Sequence, residues 1–167
     1  MRFDPREELT AWEVVNGYSQ EELARLIATY GEEPMANRIA RDIVDSRPID
    51  TSLQLAQVVG RAVRHSWGRI HPATRVFQAI RVEVNRELDN LETALRQAVS
   101  LLAPGGRVVV ISYHSLEDRL VKGFFRQESS ESKSIRVITK KVIVPSREEV
   151  RANPRSRSAR MRVAERI

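Results

Sequence analysis

At Ala103-Pro104-Gly105-Gly106 the hydrophobic period of this chain changes, and the change separates what can be helix from what can be sheet. Before it, Phe77, Ile80, Val84, Leu88, Leu91, Leu95 and Leu102 recur at helical spacing, predicting a long helical stretch from Pro72 with a bend or break within 85–90. The tetrapeptide itself suits a type II turn, with Pro and then Gly at its central positions. After it, Val108, Val109, Val110 and Ile111 form a continuous β-branched run. Such a run predicts a strand over 107–112 buried on both faces, as in a parallel sheet. A helix is expected from about Leu116 to Arg126, with Ser115 and Asp118 at capping-box spacing.

Upstream, the first 70 residues read as short amphipathic helices. Thr10 with Glu13, Ser19 with Glu22, and Thr51 with Gln54 fit the capping-box spacing. Leu23, Leu26, Ile27 and Tyr30 share one helical face, as do Met35, Ile39, Ile43 and Val44, and then Leu55, Val58, Val59 and Val63. Downstream, 127–134 is a polar loop, 135–144 is strand-like, Ser146 with Glu149 starts a helical turn, and 159–163 alternate as a half-exposed final strand. The organisation is therefore a helical domain over 1–70 and an α/β domain over 71–167. The second resembles the closing half of a doubly wound sheet.

Composition excludes several classes. Cysteine is absent, so there is no disulfide scaffold, thiolate metal site or cysteine nucleophile. With three His residues, no metal site is expected. No apolar run is long enough for a membrane helix, and the opening MRFDPREELT contains no apolar signal segment, so a cytoplasmic protein is expected. The net charge of +6 is concentrated at one end. Residues 133–167 carry 11 basic and 3 acidic side chains, while 1–70 carry 9 and 11. Of the 28 basic residues 24 are Arg, the better bidentate ligand for phosphate. A polyanion such as nucleic acid is the implied partner, with a solvated basic edge as the plain alternative. A helix-turn-helix DNA binder within 19–65 is the weaker reading, because that region is net negative.

Three segments together carry a resemblance: RIHPATRVFQAIRVEVNREL (69–88), LLAPGGRVVVISYHSLEDRLVKGFFR (101–126) and PSREEVRANPRSRSARMRVAERI (145–167). They resemble the C-terminal half of the RsmH/MraW family, S-adenosylmethionine-dependent methyltransferases of cytidine N(4) in small-subunit ribosomal RNA. The resemblance implies a partial Class I, Rossmann-like methyltransferase sheet with an α-helical insertion domain for substrate recognition. It implies the small ribosomal subunit or its RNA as partner. The family's cofactor motifs (a Gly-rich loop with a His, an acidic ribose-binding position, and an Asp-Leu-Gly-Val-Ser-Ser-type stretch) have no counterpart here. No cofactor-binding residue is carried over. The expectation is a truncated member that does not bind S-adenosylmethionine alone. It would need a complementing chain or self-associate through the open edge of strand 107–112. A noncatalytic RNA-binding or assembly module is the alternative.

The strand 107–112 delivers Ser112, Tyr113, His114 and Ser115 to the end of the sheet. They are candidates for contact with the target base, His114 also as a general base, against a reading as a hydrogen-bonded turn capped by Ser115. Asp118 and Arg119 read as cap and surface ion pair. Arg69, His71 and Arg75 either grip RNA phosphates or, for His71-Pro72, start the helix. In the tail, Asn153-Pro154 favours a turn. Arg155, Arg157 and Arg160 are then the RNA-binding candidates, with hydroxyls between the guanidinium forks. Trp12 and Trp67 are expected to pack inside the helical domain.

Overall fold

The computed structural model describes residues 1–63 and 71–167, and these divide into two compact units, Met1–Glu87 and Leu88–Ile167. The division falls later than the 70/71 boundary read from the sequence.

The first unit is helical: α1 (Ala11–Gly17), α2 (Gln20–Gly31), α3 (Ala36–Asp45), α4 (Ser52–Ala62) and α5 (Pro72–Val84). All three expected capping boxes form, at Thr10/Glu13, Ser19/Glu22 and Thr51/Gln54, each with both reciprocal bonds present. Each satisfies N–H groups that a helix start otherwise leaves open. The helices close over an aliphatic core that includes Val14, Leu23, Ile27, Ile39, Ile43, Val59, Val76 and Ile80. Met35 is an exception to its expected inward face. It precedes α3 and is exposed, because the helix begins only at Ala36. Helices α2 and α5 pack closely at Gly31, where a Cβ would lie 2.9 Å from the backbone oxygen of Arg75. Arg47 ties the α3–α4 connection to α1 by donating Nε to the Val15 carbonyl at 2.8 Å.

The expected interruption within 85–90 is a break. Asn85 caps α5 and α6 (Glu87–Leu101) begins anew. The turn after α6 has Gly105 at φ +80° and a 2.8 Å bond from the Gly106 N–H to the Ala103 oxygen, as a type II turn requires.

The second unit holds a three-stranded sheet of β1 (Arg107–Ser112), β2 (Ile135–Val137) and β3 (Arg160–Arg166), in the order β1-β3-β2. Both outer strands run antiparallel to β3, so they run parallel to each other, joined through α7 (Ser115–Gln127). The strand-like stretch 135–144 is strand only at its start, with one further bridge from Ile143 to Met161. A π-helical turn, Glu128–Ser132, extends α7, and α8 (Arg147–Ala152) starts at its Ser146 cap.

The expectation of a strand buried on both faces is corrected. β1 is an edge strand paired only to an antiparallel neighbour, and its burial alternates. Val108 and Val110 pack with Leu95, Val99, Val121, Phe125, Ile135 and Ala164. Val109 and Ile111 point the other way and are 55% and 53% exposed. A continuous β-branched run supplies two apolar faces, but only one finds a partner among the described residues. The chain is mixed α/β with a small antiparallel-paired sheet. Among the described residues no helix is long and apolar enough to cross a membrane.

Candidate nucleic-acid interface

Antiparallel pairing sets the end of one strand beside the start of the next. In this sheet Ser112 pairs with Arg160 and Val110 with Arg162. The polar turn 112–115 and the start of β3 are thereby brought to one sheet end. Sequence reasoning named both segments but not their meeting.

The turn is built around His114, which caps α7 in place of the expected Ser115. His114 Nδ1 accepts the Glu117 N–H at 3.4 Å. In return Glu117 Oε2 accepts the Tyr113 and His114 N–H groups at 2.8 and 3.3 Å. Burial works to raise the Glu117 carboxyl, but bonds from His114 and the Tyr113 N–H outweigh it and hold the group below its ordinary range. His114 Nε2 is buried and lies 3.3 Å from Glu117 Oε1. The ring is held through Nδ1, while Nε2 makes no hydrogen bond among the described residues. Proton removal at Nδ1 would compete with the cap. Ser112 is buried, Ser115 opens α7 half-buried, and Tyr113 is 56% exposed. Tyr113 is thus the member of the group with a free aromatic face.

One turn further along α7, Asp118 is buried against β3, which corrects its reading as a cap with a surface pair. Its Oδ1 accepts Arg162 Nε at 2.6 Å, and its Oδ2 accepts Arg162 Nη2 at 3.1 Å and Arg160 Nη1 at 3.2 Å. The Arg162 guanidinium, against the opposing effect of burial and with help from Arg160, holds the Asp118 carboxyl below its ordinary 3.8. Arg160 is thus partly committed to the fold. Glu165, on the opposite face, pairs with Arg107 at 2.9 Å and with Arg136. Arg162 and Glu165 were not singled out from the sequence. Their signal was the alternation along 159–163 extended to residue 165.

Arg155 and Arg157 differ. They sit in the 3₁₀ turn Pro154–Ser158, initiated by Asn153, whose Oδ1 accepts the Arg155 N–H at 3.2 Å. Both are exposed, and neither pairs with a carboxylate among the described residues. The hydroxyl between them, expected to be presented with them, is turned inward. Ser156 is buried and donates to the Asn153 oxygen at 2.8 Å.

In the helical unit, His71 caps α5, its Nδ1 accepting the Ala73 N–H at 3.1 Å. Arg75 donates Nη1 to Glu33 Oε2 at 3.2 Å and to the Glu32 oxygen at 3.3 Å. Both residues therefore anchor the fold where phosphate contact was one of two expectations. Trp12 is exposed, contrary to its expected packing, and donates Nε1 to Asp50 Oδ1 at 2.9 Å. Arg69 and Trp67 lie outside the described residues.

The second unit is a mixed α/β body with a polar strand-end turn at Ser112 and, in the turn that precedes β3, two guanidinium forks without a carboxylate partner among the described residues. Comparison with known proteins gives this arrangement its class. A model of the MraW methylase family matches residues 1–167, and the chain belongs to that family. It is 55% identical over 181 residues to ribosomal RNA small subunit methyltransferase H of Dehalococcoides mccartyi, covering all of this chain and 52% of the relative. The proteins of the same description in Synechococcus elongatus and Thermomicrobium roseum are 51% and 52% identical, again over the whole chain and 56% of each relative. The chain thus spans about half the length of the curated relatives it matches.

Methyl transfer implies S-adenosylmethionine in this family. The Gly105-Gly106 turn precedes a strand, where it cannot cradle a ligand at a helix start. The N–H groups of Tyr113 and His114, where β1 meets α7, are taken by Glu117.

Proposed function

We propose that this chain supplies the acceptor side of a methyltransferase that modifies the exocyclic amine, N(4), of a cytidine in small-subunit ribosomal RNA. The observation that carries the reading is the meeting, at one sheet end, of the turn 112–115 with the start of β3 at Arg160, which follows in sequence the turn bearing Arg155 and Arg157. Family membership and the relatives' descriptions support the substrate class.

The cytidine amine is a weak nucleophile because its lone pair is delocalised into the ring. Catalysis must hold it in line with the methyl donor and take up the positive charge that grows on nitrogen. Exposed Tyr113 offers a stacking face for a base. Arg155 and Arg157 grip flanking phosphates bidentately. His114 and Glu117 keep the turn rigid. Asp118 locks the start of β3 against α7, so the two turns hold a fixed spacing. The donor is held by groups outside the described residues, from the family's remaining half. The reaction belongs to the cytoplasm, with the ribosomal subunit.

The uncovered face of β1 supports the same reading. Val109 and Ile111 form an apolar surface beside an unpaired strand edge, which the remaining half would cover. Alone, the chain self-associates there. A separately produced N-terminal half of a relative, mixed with this chain and small-subunit ribosomal RNA, is expected to restore labelled methyl transfer. Arg155→Ala with Arg157→Ala should raise KM about tenfold. Unchanged kinetics in that double variant would overturn the role of the tail. RNA binding without any restored transfer would favour the noncatalytic alternative. Calorimetric titration with S-adenosylmethionine should show no binding to the chain alone, and specific binding would return the donor site to these residues.

A further inference from the structure

The second unit has a cavity of about 410 Å³ that the turn 112–115 does not use, walled by α7, the π-helical turn, β2 and the segment after β2. Ligand pockets run from about 300 to 1,000 Å³, so it is large enough for a nucleotide-sized group. Its origin is the wide turn Glu128–Ser132, which carries the chain away from the end of α7 before it returns as β2. Val137 lines it as apolar wall over the buried Phe125, with the half-buried Ser129 beside it. Lys122 and Arg126, four residues apart and so on one face of α7, meet Lys140 across the opening.

These three cations differ from four of the five arginines on the sheet; the fifth, Arg166, donates to the Ser134 oxygen. Arg107 and Arg136 are matched by Glu165, and Arg160 and Arg162 by Asp118. Among the described residues no carboxylate pairs with Lys122, Arg126 or Lys140. Three like charges around one apolar-walled cavity repel one another until an anion joins them. A nucleotide offers both halves of what the cavity lacks, a flat face for the apolar wall and a phosphate for the cations. An acidic peptide offers the charge without the ring.

We propose that this cavity is a second RNA subsite, holding one unpaired nucleotide of the substrate strand with its base against Val137 and the wall beside it and its phosphate among Lys122, Arg126 and Lys140. The proposal deepens the RNA-modifying reading and rests on it.

The test is fluorescence anisotropy of a labelled, short single-stranded RNA titrated with the full 167-residue chain. Lys122→Ala with Lys140→Ala should weaken binding about tenfold and flatten the dependence of log K on log salt by about 1.4. Arg147→Ala with Arg151→Ala removes the same charge from α8 and should change affinity less than about twofold. Ser129→Trp fills the cavity without altering charge and should match the loss seen in the lysine pair. Cytidine monophosphate should displace the RNA at concentrations where cytidine or inorganic phosphate alone does not. Equal losses in the two charge-matched pairs, unchanged binding in Ser129→Trp, or displacement by an acidic peptide as readily as by cytidine monophosphate would each overturn the subsite. Failure of the methyl-transfer mixture with cavity-dependent RNA binding intact would sink the function alone. Restored transfer with cavity-independent binding would sink the subsite alone.

Discussion

In the helical unit the apolar faces of α1 to α5 meet one another, and Leu23, Ile27, Ile39, Ile43, Val59 and Val76 all end fully buried. In the sheet unit Val108 and Val110 are covered while their neighbours Val109 and Ile111 are not. The difference follows from how each element satisfies its backbone. A helix bonds to itself and needs company on one stripe only, so five short helices suffice to close a core. A strand needs a partner on each edge and cover on each face, and a three-stranded sheet with helices on one face provides neither in full. One chain thus contains a part whose described apolar faces bury one another and a part with an apolar strand face left uncovered among the described residues.

The largest effect should come from the one buried ion pair of the sheet end. Asp118→Ala leaves Arg162 buried without its partner and should cost about 3–5 kcal/mol. Amide exchange should then accelerate in β1 and β3 while α2 and α5 keep their protection. Equal loss in both units would break the comparison.

The corresponding weak point of the helical unit is steric. Gly31→Ala would push a Cβ to 2.9 Å from the Arg75 backbone oxygen, costing about 1–3 kcal/mol, read in urea unfolding. An unchanged midpoint would mean that α2 and α5 have slack.

The two units should also fail at opposite ends of the pH scale. Asp118 titrates below its ordinary 3.8 when folded, so its contribution is present above that value and lost as pH falls through the folded pKa. In the helical unit, burial first and the 2.9 Å bond to Glu83 second push the Tyr18 phenol from 10.0 up to about 12. That contribution is full below pH 10 and lost as pH rises to 12. Circular dichroism with tyrosinate absorbance should find the helical unit giving way first in base, and Tyr18→Phe should remove that sensitivity. Acid should act first on the sheet.

The smallest effect on stability should be Ile111→Thr on the uncovered face, within about 0.5 kcal/mol. Its consequence is in association. Sedimentation should show a shift toward monomer, and unchanged self-association would mean that this face is not the adhesive one.

What could be read in advance was what is local. The capping boxes at Thr10, Ser19 and Thr51 are three-residue relations between a hydroxyl and a carboxylate or amide, and they form wherever the helix does. Asn153-Pro154 likewise announced the turn that presents Arg155 and Arg157. The cap of α7 was misplaced by one residue because imidazole is an uncommon cap and Ser115 stood next to it. The direction of β1 was not legible, since a run of β-branched residues records burial and not the sense of its partner. Arg162 was not singled out because alternation gives parity and leaves open which parity is inside. The cavity at Lys122 depends on a wide turn within a polar stretch, which has no sequence signature of its own.

The strand order β1-β3-β2 has a consequence for synthesis on the ribosome. The two outer strands are made before the strand that joins them. Ser112 and Arg160 are 48 positions apart, and at about 5–20 residues per second β1 waits roughly 2–10 s for β3. During that interval β3 shelters none of Val108, Val109, Val110 and Ile111, while the helices α1 to α5 have already been translated. The sheet unit is the client that a chaperone of the nascent chain would meet.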